Sequence, residues 1–205
     1  MIKAVLFDFG NVLYWFDYDR FFNTVAPYSP FDAARLRELL FGGSDPVSHQ
    51  YETGRMSTSG FFDWARTVAK IGLAEDAIRD AFVGIFSENT HVTQIVESLA
   101  ERMPVGLVSN TNEVHYEYFM RRTPVFSRFA AVGTSFHAGV MKPAASIFQG
   151  TLAQLACKPE QCIFVDDLEE NVDAARALGM HGVHYGNETD LIETLQAYGV
   201  DATSL

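Results

Sequence analysis

Five side chains able to do chemistry stand directly after short apolar runs. Asp8 follows Ile2-Lys3-Ala4-Val5-Leu6-Phe7 and precedes a Gly10-Asn11 turn. Ser109 follows Val105-Gly106-Leu107-Val108, Lys142 follows Val140-Met141, and Asp166-Asp167 follow Cys162-Ile163-Phe164-Val165. A carboxylate placed like Asp8 is a potential nucleophile, able to attack phosphorus or carbon and form a covalent intermediate. Asp166 and Asp167 offer hard oxygen ligands. Three carboxylates in one cleft repel by several kcal/mol in a low dielectric. A bound Mg²⁺ would relieve that repulsion and suit a phosphate substrate. Lys142 is a point charge for phosphate and nucleophile, and Ser109 with adjacent amides can donate to phosphoryl oxygens.

These residues need a scaffold that brings distant segments together. A short apolar run bounded by turn signals predicts a buried, parallel strand. In open α/β sheets the C-terminal strand edge is where ligands bind, and each of these residues falls there. Further strands are expected over 105–109, 131–134, 162–165 and 181–185. Helices are expected over 93–102, 113–121, 144–156, 169–178 and 189–197, with Pro143 in a first turn and Gly179 as a stop. Residues 15–90 instead carry helical patterns and no convincing strand. There, helices are expected over 31–41 and 74–86, and another, capped by Ser57 or Ser59, running to near Gly72. The expected division is an α/β core of residues 1–14 and 91–205 with a helical insert at 15–90.

Composition narrows the function. The net charge of -11 with no basic stripe argues against nucleic-acid binding and against docking on an anionic membrane. No apolar run approaches the roughly 20 residues of a membrane helix, and the N-terminus does not read as a signal peptide. Cys157 and Cys162 lack further close ligands for zinc, so two reduced thiols and a cytoplasmic protein are expected. His115, His137, His181 and His184 share no metal spacing. Trp15, Phe16, Phe21, Phe22 and Trp64 read as packing within the insert, and His49 as an exposed or hydrogen-bonded histidine. Nothing in the sequence sets an oligomeric state.

The ordered segments Phe7-Asp8-Phe9-Gly10-Asn11-Val12-Leu13, Val108-Ser109-Asn110-Thr111-Asn112, Gly139-Val140-Met141-Lys142-Pro143 and Phe164-Val165-Asp166-Asp167 resemble the four motifs of the haloacid dehalogenase (HAD) superfamily. The stretch from Asn171 to Met180 is similar to the subfamily with a helical cap between the first two motifs. The resemblance implies a Rossmann-like parallel sheet of order 5-4-1-2-3 with an inserted helical cap. It implies a Mg²⁺-dependent phosphatase acting on a small phosphorylated metabolite, such as a sugar phosphate. Asp8 would be the phosphoryl acceptor, Ser109, the Asn110 amide and Lys142 would hold the phosphoryl group, and Asp8, the Gly10 carbonyl, Asp166 and Asp167 would hold the metal.

One position departs from the family pattern. Phosphatases of the family carry a second Asp two residues after the nucleophile as general acid and base; here it is Gly10. Such help is worth roughly 10²–10⁴-fold. The Gly-Asn loop, together with Asp17, Arg20 and the His49-Gln50 pair ahead of Glu52, resembles a branch that includes α-glucose-1-phosphate phosphatases, whose anomeric leaving group needs less acid. Asp17 is a candidate substitute. Two alternatives stay open: a 2-haloacid dehalogenase, in which Asp8 attacks carbon, and a non-catalytic phosphate-binding protein.

Overall fold

The computed structural model describes residues 1–203. Strand β1 (Ala4–Phe7) leads through a tight turn into β2 (Tyr14–Phe16). Asn11 makes that turn at φ 55°, a left-handed conformation that Asn tolerates, and its amide donates to Tyr14 O at 2.8 Å. Five helices follow: α1 (Tyr18–Val25), α2 (Ala33–Phe41), α3 (Val47–Glu52), α4 (Thr58–Thr67) and α5 (Glu75–Val83). Strand β3 (Phe86–Glu88) then returns antiparallel to β2.

Beyond it the chain alternates. The elements are α6 (Thr90–Ala100), β4 (Val105–Ser109), α7 (Glu113–Tyr118), β5 (Ala131–Thr134), α8 (Ser135–Ala138) and α9 (Ala145–Leu155). Strand β6 (Cys162–Asp166), α10 (Glu169–Ala177), β7 (His181–His184) and α11 (Leu191–Ala197) complete it. The main sheet is wholly parallel, in the order β5-β4-β1-β6-β7. Counting only its own five strands in chain order, and starting from β7, that order is 5-4-1-2-3. The ribbon β2–β3 is what the sequence reading missed. Its strands are three residues each, too short for any periodicity to register. Pro143 also differs from expectation: α9 begins at Ala145 behind the cap residue Ala144, so Pro143 lies in the preceding loop.

Both faces of the sheet are covered, which is why β1, β4 and β6 are continuously apolar before their chemical residues. Val5, Phe7, Leu107, Ile163 and Val165 pack with Val92, Ile95 and Val96 of α6 and Leu191 and Leu195 of α11. The alternate residues Ala4, Leu6, Val108 and Phe164 pack with Ile147, Phe148 and Leu152 of α9 and Ala175 of α10. Successive strand side chains point to opposite faces, so each strand feeds both layers.

The inserted helices have an apolar cluster of their own, built on Phe21, Phe22, Leu36, Leu40, Tyr51, Phe61, Trp64 and Phe82. Asp17, Asp32 and Ser57 cap α1, α2 and α4 through side chains that accept from Asp19 N, Arg35 N and Gly60 N. Phe82 joins this cluster to the sheet's helical layer. Its ring lies 4.8 Å from Phe61, 5.1 Å from Phe21 and 4.2 Å from the His115 ring on α7. Tyr51 Oη accepts from Val114 N at 3.2 Å, a second tie between insert and core. Phe82→Ala is therefore expected to destabilise the protein by about 3–5 kcal/mol, the usual range for a buried ring, in urea-unfolding measurements. A loss below about 1 kcal/mol would show that this contact does not hold the two parts together.

Candidate active site

The sheet register brings four of the expected residues to one point. Asp8 lies one residue past β1, and its amide donates to Val165 O at 2.9 Å, which holds it beside the end of β6. Lys142 reaches across from the loop before α9. Its Nζ lies 2.7 Å from Asp8 Oδ1 and 2.6 Å from Asp166 Oδ2. The Lys142 and Asp166 side chains are 1% and 0% exposed, so this bridge is removed from solvent. Asp166 Oδ1 also accepts from Leu168 N at 2.8 Å and Asn171 Nδ2 at 3.0 Å. Asp167 sits nearer the surface, held by Asn11 Nδ2 donating to its Oδ2 at 3.0 Å.

Charge at this point is unbalanced. Ligand oxygens of Asp8, Asp166 and Asp167 all lie within 4.8 Å of one another, and Lys142 is the ammonium that bridges two of them. Burial pushes the Asp8 carboxyl up, Asp166 and Asp167 add to that, and Lys142 opposes it. Burial and Asp166 likewise raise Asp167, against the Asn11 hydrogen bond. For Lys142, burial favours the neutral amine, but Asp8 and Asp166 outweigh it and hold the group above its ordinary value. An all-oxygen donor set with surplus negative charge suits a hard divalent cation such as Mg²⁺.

Asn110 has a role that its place in the sequence did not reveal. Its Oδ1 accepts from Lys142 N at 2.8 Å, and its Nδ2 donates to Lys142 O at 3.1 Å. The side chain thus clasps the lysine's backbone, leaving only its main-chain amide in the role expected of it. Asn11 and Asn171, which the sequence marks only as parts of motif matches, are further supports of Asp167 and Asp166; an Asn in a turn or helix carries no signal of a distant acid.

Beside the cluster lies a small cavity of about 80 Å³. Gly10, Ser109, Asn110 and Thr111 line it from the core, and Phe16, Tyr18, Glu52 and Phe86 from the insert and ribbon. Gly10 lets the Phe16 ring approach the loop: a Cβ there would meet Phe16 Cε1 at 2.8 Å, so a larger residue would require the ring to shift. Phe16, expected to pack within the insert, lies edge-on to Tyr18 and Phe86 and, 40% exposed, also forms part of this wall. Trp15 on the neighbouring position is 42% exposed and stacks on Tyr185 at 6.5 Å. His115 closes the cavity as a neutral ring, its pKa pushed down to about 3 by burial, with hydrogen-bond contacts to Asn112 Nδ2 and Phe82 O at 3.1 Å.

Asp17 does not reach the cavity. Its carboxylate accepts from Asp19 N at 2.8 Å as the cap of α1, and its side chain is 55% exposed. A helix-cap geometry competes with any other use of that group. His49 is half exposed, 3.5 Å from Asp45 and 3.1 Å from Arg55. Glu52 is the acidic group that does enter, and burial pushes its carboxyl from 4.5 to about 7. In the sequence it was one residue of a motif match, with no sign of where it points.

Fold and site together define a capped, parallel-sheet α/β protein with a lysine-bridged acidic cluster over its central strand. The chain belongs to the haloacid dehalogenase-like hydrolases, whose family model matches residues 2–179. It is 25% identical to a D-ribitol-5-phosphate phosphatase of Bacteroides thetaiotaomicron, over 93% of this chain and 95% of that one. A drimenol cyclase of Aspergillus calidoustus is 24% identical over 93% of this chain, which spans only 35% of that larger protein. Among solved structures, a HAD family enzyme of Bacteroides thetaiotaomicron in complex with magnesium and inorganic phosphate superposes with a TM-score of 0.83. The identity is 23%, over 95% of this chain and 99% of that one. No helix among the described residues is long and apolar enough to cross a membrane.

The raised Glu52 pKa has a sign that can be measured. A carboxyl at about 7 in the fold and 4.5 when free resists ionisation in place. Its contribution to stability is full below pH 4.5 and is lost as pH rises through 7. Glu52→Gln removes the ionisation. It is expected to stabilise the protein at pH 8 by up to about 3 kcal/mol, at about 1.4 kcal/mol per pKa unit, with the gain shrinking toward pH 5. Urea unfolding of both proteins at several pH values checks this; a difference independent of pH would contradict it.

Proposed function

We propose that this protein is a Mg²⁺-dependent phosphatase of a small phosphorylated metabolite, working through an aspartyl-phosphate on Asp8. The observation that carries the reading is the buried Lys142 bridge between Asp8 and Asp166, with Asp167 beside it. The Asp8 oxygen that Lys142 does not hold is the one to attack phosphorus. Ser109 Oγ and the Asn110 amide donate to the phosphoryl oxygens, and Lys142 balances charge between nucleophile and phosphoryl group.

Asp8, Asp167 and the Gly10 carbonyl would hold the metal, with Asp166 directly or through water. Bound there, Mg²⁺ supplies the positive charge that lets a phosphate dianion approach three carboxylates. Once the leaving group departs, water attacks the phosphoryl group on Asp8 and frees the carboxylate. The ribitol-5-phosphate phosphatase among the relatives makes sugar and polyol phosphates the first class to test. Two free cysteines are in keeping with a reducing, cytoplasmic setting.

Phosphate release should be measured on D-ribitol 5-phosphate, glucose 1-phosphate, glucose 6-phosphate and p-nitrophenyl phosphate. Turnover is expected with Mg²⁺, lost with EDTA, and lowered to background by Asp8→Asn. Release that survives Asp8→Asn would overturn the covalent route. Chloride release from 2-chloropropionate, with no phosphate release from any ester, would favour the dehalogenase reading.

A further inference from the structure

The site lacks a proton donor where the family's phosphatases keep one. The Phe16 ring stands against position 10, where a Cβ would meet its Cε1 at 2.8 Å and the ring would have to shift. A carboxyl nonetheless enters the same cavity from the opposite side. Glu52, the last residue of α3, shares that cavity with Gly10, Ser109 and Asn110, the segments expected to surround the phosphoryl group. We infer that Glu52 is the proton donor to the leaving-group oxygen, supplied by the cap in place of the missing core acid. This inference rests on the phosphatase reading above.

Three observations support it. The cavity that Glu52 enters is lined by Ser109, Asn110, Thr111 and His115 and also by Phe9, Phe16, Ile85 and Phe86, and this apolar part of the wall favours the neutral, proton-bearing acid. Burial is what shifts its carboxyl; among the described residues no neighbouring cation or hydrogen-bond donor draws it toward the ionised form. The other titratable groups on the cavity wall cannot serve. His115 is neutral with both ring nitrogens engaged, and burial holds Tyr18 well above the usual phenol range, with Glu52 adding to that. An ionised Glu52 would also repel an incoming phosphate, whereas the protonated acid can donate to it.

The step balances. Asp8 forms a bond to phosphorus as the bond from phosphorus to the ester oxygen breaks. The Glu52 proton passes to that oxygen, and a neutral alcohol leaves. The resulting Glu52 carboxylate takes a proton from the water that attacks the aspartyl-phosphate. Inorganic phosphate departs, and the carboxyl is again protonated.

The test compares esters of similar shape whose leaving groups differ. Wild type and Glu52→Gln are assayed with Mg²⁺ on phenyl phosphate and p-nitrophenyl phosphate. p-Nitrophenolate leaves without a proton; phenolate is helped by one, and an alkoxide such as that of ribitol 5-phosphate requires one. The variant is expected to lose roughly 10²–10⁴-fold in kcat/KM on ribitol 5-phosphate, less on phenyl phosphate, and under about 10-fold on p-nitrophenyl phosphate. An equal loss on all three esters, or no loss, would overturn the assignment while leaving the phosphatase reading intact. A wild type inactive on every ester would instead overturn that reading, and Glu52's role with it. Wild type alone gives a second readout. Its kcat/KM should depend weakly on leaving-group pKa across substituted phenyl phosphates, and a steep dependence would exclude a donor.

Discussion

The structure turns on one buried ammonium. Lys142 sits between Asp8 and Asp166 with almost no exposure, and each neighbouring element contributes to keeping it there. Burying charge without a partner costs several kcal/mol, and removing one member of such a bridge typically costs about 3–5 kcal/mol. The arrangement is tolerable because its charged groups are multiply partnered. Asp166 receives Lys142, Leu168 N and Asn171, while Asn110 fixes the lysine's backbone from both sides. The ends of β1 and β6 are thus tied by charge as well as by the sheet, and Asn110 after β4 is tied to the same lysine by hydrogen bonds. Unsatisfied among the described residues are Asn171 Oδ1, buried without a partner, and the surplus carboxylate charge, where an Mg²⁺ and a phosphoryl group would bind.

Much of this was legible from the chain. Strands buried on both faces read as continuous apolar runs, so the residues that end them stand out. Asp8, Ser109 and Asp166 each follow such a run, which made both the sheet and the clustering of these groups predictable. Helix starts were legible where a side chain makes them, as at Asp32 and Ser57. The ribbon β2–β3 was not. Its strands hold three residues each and pair across about seventy residues of intervening chain, so no local pattern encodes them.

The cavity was legible only as a gap. Gly10 marked a missing acid, and the sequence offered Asp17 as the nearest candidate. Proximity in sequence misled because Asp17 begins a helix, and its carboxylate is consumed by the amide of Asp19. Glu52 lies more than forty residues beyond Gly10, and no local pattern in the chain marks it as facing the same cavity. Phe16 had looked like one more aromatic in an aromatic stretch. Its position over Gly10 depends on the ribbon, the element whose pairing is least local.

These two residues explain each other. With the Phe16 ring against position 10, an acid on the core loop would have to displace it, and the ring supplies part of the apolar wall that would favour a protonated Glu52. Moving the donor from core to cap changes what the cap does. In a site whose acid is carried on the core loop, the cap needs only to exclude water and shape the leaving-group pocket. Here proton supply would depend on how α3 is seated, through Tyr51 on α7 and through Gly54, whose Cα packs so tightly on Phe136 that a Cβ would lie 2.5 Å from its carbonyl oxygen. Cap seating and acid catalysis then become one event, and a substrate too large to let the cap settle would lose its proton donor together with its binding contacts.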